Sequence, residues 1–144
     1  MNAKNFIAGL GGAIALNLLH ESLKNAKDTP RIDLVGEEAL QKTIRLFGGK
    51  IENPTTLYQA TLAGDLISNA AYYSTIGQEG GNTWARAISM GLVAGVGAVT
   101  LPEKMGLDAT PVDKNIKVKA LTVGYYVAGA LVTAGIFKLL SSKK

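Results

Sequence analysis

Two stretches without a charged residue, Ala87 to Leu101 and Thr122 to Phe137, most constrain what this chain can become. Each approaches the ~20 apolar residues that a helix needs to cross a bilayer. Neither carries the polar stripe expected of a surface helix in a soluble domain. The remainder of a 144-residue chain is too short to cover both, so the sequence predicts membrane insertion. Composition points the same way, with 47% hydrophobic and 18% charged residues, against roughly 25% charged in soluble domains.

The pattern predicts an all-α fold, a small polytopic membrane helical bundle in a single domain, 1-144. Four transmembrane helices are expected at about 5-23, 57-77, 84-101 and 118-140, with one short amphipathic helix at about 36-47 in the first long loop. The first apolar run, Phe6 to Leu19, follows Lys4 as a secretory signal would. It runs into His20 and Glu21 without a small-residue cleavage pattern, so a retained helix is expected. In the short helix, Leu40, Ile44 and Phe47, extended by Val35, form the apolar side, and Gly48-Gly49 end it. Asn53 and Asn82, or Thr83, are candidate N-caps for the second and third spans, and Pro102 marks the end of the third.

The second span raises the functional question because it carries Asp65 near its middle, roughly 10 Å beyond Leu57 at 1.5 Å per residue. Tyr58, Thr61, Asp65, Ser68 or Asn69, and Tyr72 share one side at helical spacing. An intramembrane carboxylate is costly and calls for a partner or a role. A network of Asp65 with Asn17, Asn69 and a tyrosine such as Tyr72 or Tyr125 would satisfy it, as a proton-carrying or ligand-binding site. His20 and Glu21 close the first helix on the same side. With Asp65 they form a candidate metal set, weighed against an interfacial histidine and a Glu21–Lys24 pair at helical spacing.

Small residues four apart recur in three helices: Gly9 with Ala13, Gly91 with Gly95, and Gly124 with Ala128, followed by Gly129 with Thr133. Such spacing lets helix backbones approach closely in lipid, where dispersion and hydrogen bonds replace the hydrophobic drive. Tyr125 and Tyr126 lie too far inward for a boundary belt, so at least one is expected to pack or bond within the bundle.

Several chemistries are disfavoured. The absence of cysteine removes disulfides and thiolate catalysis, and one histidine is a poor basis for a zinc cluster, so no metal or cofactor is expected. Lys24 stands where the second histidine of an HExxH motif belongs, and neither a GxSxG elbow nor a phosphate loop occurs. Basic residues flank apolar segments without forming a dense stripe, which argues against nucleic acid despite a net charge of +4.

Three readings follow. The first is a structural or accessory membrane protein acting through glycine-lined helix packing, with membrane lipid around it and a homo-oligomer or larger membrane complex as partner. The second is a transporter, channel or proton-coupled component centred on Asp65. The third is a membrane enzyme acting on a lipid or hydrophobic substrate near His20 and Glu21. Four crossings would group ten Lys and Arg, from Lys24, Lys27, Arg31, Lys42, Arg45, Lys50, Lys104, Lys114, Lys117 and Lys119, against five, from Lys4, Arg86, Lys138, Lys143 and Lys144. The long loops are therefore expected in the cytoplasm and both termini outside, in a cell inner membrane.

Overall fold

The computed structural model describes residues 2–78 and 80–143, which form six α-helices. They are α1 (Ala3–Leu23), α2 (Ile32–Leu46), α3 (Pro54–Ser74), α4 (Thr83–Lys104), α5 (Thr110–Asp113) and α6 (Ile116–Ser142). A single 3-10 turn, Thr75–Gly77, extends α3. Asparagine opens every long helix: the side chains of Asn2, Asn53, Asn82 and Asn115 accept hydrogen bonds from backbone N–H groups of α1, α3, α4 and α6. Each cap satisfies donors that have no partner within the helix.

Among the described residues, only α1, α4 and α6 are long and apolar enough to cross a membrane. The expected four spans plus one amphipathic helix are thus corrected to three spans in a bundle of six helices. α3 has a span's length, 21 residues, but Gln59, Asp65, Ser68 and Asn69 lower its hydropathy. The short second helix begins at Ile32, four residues before the expected start, and Gly36 sits inside it as a close-approach position instead of opening it. Its buried residue is Asp33; of the expected apolar side, Val35, Leu40 and Ile44 are half-buried, while Phe47 stays 88% exposed. Gly48, at φ +81°, supplies the left-handed turn that ends α2, and the Gly49 N–H bonds back to the Ile44 carbonyl. Pro102 lies within α4, where a missing N–H in the last turns leaves the helix intact through Lys104. The connection after it also holds α5, which sequence patterning did not distinguish from a loop.

The long helices alternate in direction. Gly9 packs on Ala70 and Ser74 while Glu21 meets Tyr58, so α1 and α3 are antiparallel. Gly91 and Gly95 meet Val127 and Val123, so α4 and α6 are antiparallel as well. The principal interfaces are α1 with α3, α1 with α6, and α4 with α6, giving the spatial order α3, α1, α6, α4. Gly77 packs by Asn5 and Phe137 at one end of the bundle. At the other end α2 and α5 form a cap, joined by the Arg31 N–H to the Pro111 carbonyl at 2.9 Å and the Asp108 N–H to Glu38 Oε2 at 2.9 Å.

The core is built from small and polar residues, including Ala13, Ala70, Ala130, Ala134, Thr122 and Thr133. Beside a few buried large residues such as Leu16, Tyr73 and Ile76, many large apolar side chains point the other way: Ile7, Leu18, Ile67, Val93 and Leu139 are all more than half exposed. In water this arrangement would leave extensive apolar surface uncovered. In lipid it is expected, since tails solvate large side chains and small residues allow backbone contact.

Candidate functional site

The last turn of α1, the first turn of α2 and the first half of α3 meet around His20, which is 3% exposed. Its Nε2 lies 3.1 Å from Asp33 Oδ1 and its Nδ1 lies 3.4 Å from Glu21 Oε1. These are ion-pair distances, although Nε2 has no aligned hydrogen-bond partner. Arg31 grips Asp33 with both arms of its guanidinium, Nε to Oδ1 at 2.8 Å and Nη2 to Oδ2 at 2.6 Å. Burial alone would push the Asp33 carboxyl up. The two hydrogen bonds from Arg31, with His20 close by, outweigh that and hold it well below the usual carboxylate range.

Glu21 is engaged in the same way. Its Oε1 accepts a hydrogen bond from the Tyr58 hydroxyl, and its Oε2 lies 2.9 Å from Lys24 Nζ. Lys24 in turn sits 4.7 Å above the centre of the Tyr58 ring, and the Glu21 carboxylate raises its pKa. Two of the three acids around His20 thus have cations of their own.

Asp65 is the third. Among the described residues no hydrogen bond or ion pair reaches its carboxylate. It lines a cavity of about 10 Å³ together with Asn17, His20, Glu21 and Asn69, and with Asp33, Tyr58, Thr61 and Tyr126. That is about the room one water molecule needs. Asp65 also lines a second space, an open and largely apolar groove of about 440 Å³ between α2 and α4. Ile32 and Tyr126 are shared by both spaces. A partnerless carboxylate therefore stands at the junction of a polar cavity and an apolar groove.

Of the residues singled out from sequence, Asn17, His20, Glu21, Asp65 and Asn69 gather around the small cavity. The expected Asn17–Asp65 bond does not form, because Asn17 Nδ2 donates to the Ala13 carbonyl of its own helix at 2.9 Å. Tyr72 lies in the groove and donates to the Met90 carbonyl at 2.8 Å, bridging α3 to α4. Sequence reasoning passed over Asp33, and it expected Tyr125 or Tyr126 inside the bundle without assigning Tyr126 to this site. An acid two residues after Arg31 near a helix start was a visible signal for the first. No local signal indicated that it would be buried against His20.

Gly9, Ala13, Gly91 and Gly95 are buried between helices, whereas Gly124 is exposed with nothing within 4 Å and Ala128 is half-buried. On α6 the close approach occurs at Gly129 instead, where an added Cβ would stand 2.8 Å from the Tyr73 hydroxyl and 2.9 Å from the Gly12 carbonyl. Among the described residues no group of three His, Asp or Glu is placed to hold a metal ion, so His20, Glu21 and Asp65 do not form the metal set their spacing allowed. Two of the lining hydroxyls are committed, Thr61 to the Leu57 carbonyl and Tyr58 to Glu21.

Compared with known proteins, the chain matches no family model, no curated sequence and no solved structure. Fold and composition define its class directly. It is a small all-helical membrane protein with several apolar spans.

Proposed function

We propose that this chain is a proton- or cation-coupled carrier component whose working group is Asp65. The observation that carries the reading is the carboxylate's position, without a protein partner, where the polar cavity meets the apolar groove. Asp33 and Glu21 are each fixed by a basic neighbour, so their charge is locked. Asp65 is the acid left to exchange a proton or bind a cation, with the cavity water, Asn69 and His20 as its surroundings.

A bundle this small does not enclose a broad path by itself, and we therefore place it in a homo-oligomer or a larger membrane complex. The structural reading is less favoured because Gly9, Gly91 and Gly95 are used in contacts within the chain. The excess of Lys and Arg near the α2–α5 cap favours a cytoplasmic location for that end.

The test is proton and cation flux in reconstituted vesicles. Asp65→Asn should leave the protein folded and abolish flux. Equal flux in the variant and the parent would remove Asp65 from this role.

A further inference from the structure

We propose that the groove beside Asp65 binds a lipophilic primary amine, its hydrocarbon chain lying between α2 and α4 and its ammonium group meeting the Asp65 carboxylate. The inference rests on the reading of Asp65 as a cation-exchanging group and gives that cation a chemical class.

The groove walls are apolar: Val35 and Ala39 on one side, Val93 and Leu101 on the other, with Met105 and Leu107 at the capped end. From Val93 to Leu101 the α4 wall runs about 12 Å at 1.5 Å per residue, a length suited to an extended alkyl chain. The space exists because the residues facing it are small, notably Gly36, Ala94, Gly97 and Ala98. A Cβ on Gly97 would meet only Leu101 Cδ1 at 3.5 Å, so this glycine is not needed for helix packing. Gly36 has a different task. A Cβ there would lie 2.7 Å from Thr61 Cγ2 and 3.6 Å from Asp65 Oδ2, so glycine lets α2 lie close over the carboxylate.

Charge selects the head group. Asp33 is held by Arg31 and Glu21 by Lys24, which leaves Asp65 as the acid beside His20 without a basic side chain of its own. A fatty acid would bring a second carboxylate against it. An alcohol could donate a hydrogen bond but would leave the charge uncompensated. An ammonium group donates and also compensates the charge, and charge-assisted hydrogen bonds are the stronger kind. Size narrows the choice further. The cavity beyond Asp65 holds about one water, which admits a primary ammonium group and rejects a trimethylated or phospholipid head group.

Isothermal titration of the protein in lipid nanodiscs, with empty nanodiscs subtracted, tests this with decylamine, decanol, decanoate and decyltrimethylammonium. Decylamine should bind saturably and at least ~10-fold more tightly than the other three, the scale of one charged hydrogen bond. Asp65→Asn should reduce decylamine to the affinity of decanol, and Gly97→Leu, which fills the groove without touching the carboxylate, should abolish its binding. Retained tertiary structure in both variants is checked by near-ultraviolet circular dichroism. Equal affinity for decylamine and decanol, undiminished binding in either variant, or no saturable heat above empty nanodiscs would overturn the proposal. If decylamine fails to bind while D65N still abolishes proton flux, the amine is wrong and the carrier reading stands. If D65N weakens decylamine binding and leaves flux intact, the amine site stands and the carrier reading falls.

Discussion

His20 Nε2 lies 3.1 Å from Asp33 Oδ1, tying the last turn of α1 to the first turn of α2. Both residues are almost fully buried, and Arg31 holds the far side of the same carboxylate. Removing one member of such a set leaves the others desolvated and unpaired, which costs more than the pair itself contributes.

Asp33→Asn should therefore loosen α2 by roughly 1–2 kcal/mol, discounted because the Arg31 side of the pair is partly solvated. Hydrogen exchange read by mass spectrometry should show α2 amides exchanging about tenfold faster, with those of α4 and α6 unchanged. Uniform exchange across the chain would show that the cap is not seated by this contact.

The same carboxylate sets an acid dependence. Its folded pKa is held below the unfolded value of ~3.9, so its contribution is fully present above that value and is lost as pH falls through the folded one. α2 exchange in the wild type should accelerate as the solution is acidified below about pH 4. In D33N that acid-induced component should vanish.

The glycines divide into two groups. A Cβ on Gly91 would lie 2.7 Å from Val127 Cα, and one on Gly95 2.6 Å from Val123 Cα, so backbone has to move. Gly91→Ala and Gly95→Ala should each destabilise the protein in detergent by roughly 1–3 kcal/mol. Gly124→Ala meets nothing within 4 Å and should stabilise α6 by up to about 1 kcal/mol through helix propensity. Thermal melts that rank all three alike would contradict the α4–α6 packing.

Asp65→Asn should behave unlike Asp33→Asn. With no partner to strand, it should shift unfolding free energy by no more than ~0.5 kcal/mol, the range of substitutions outside structural networks. A loss of several times that amount would identify Asp65 as a structural tie and count against its proposed role.

Topology can be read with single cysteines, because the native chain has none. Lys50 lies at the capped end and Ser142 at the opposite end of the bundle. If the basic end is cytoplasmic, an impermeant maleimide added to intact cells should label Ser142→Cys and spare Lys50→Cys, with both labelled after lysis. The reverse pattern would invert the orientation.

Much of the fold is legible in local chemistry. Helices starting after Asn53 and Asn82 follow from capping, the stop at Gly48-Gly49 follows from left-handed backbone, and the charge-free runs of α4 and α6 place them in lipid. The polar side of α3, containing Tyr58, Thr61, Asp65 and Asn69, is likewise visible from spacing, and these residues do line one cavity. The same polar residues, weighed along the whole helix, keep α3 out of the set of apolar spans.

Helix type, approximate boundaries, membrane character and a carboxylate near the middle of one long helix were legible in the chain alone, because these depend on periodicity, capping and transfer energies within a segment. Tertiary structure decided what faces what. Gly129 and not Gly124 became the close contact on α6, Asn17 turned to its own backbone, and Asp33 was buried against His20. The choice rests on how helices rotate to bring backbones together and which charges find partners across the chain. Those are pairwise energies between segments distant in sequence, and no local pattern encodes them.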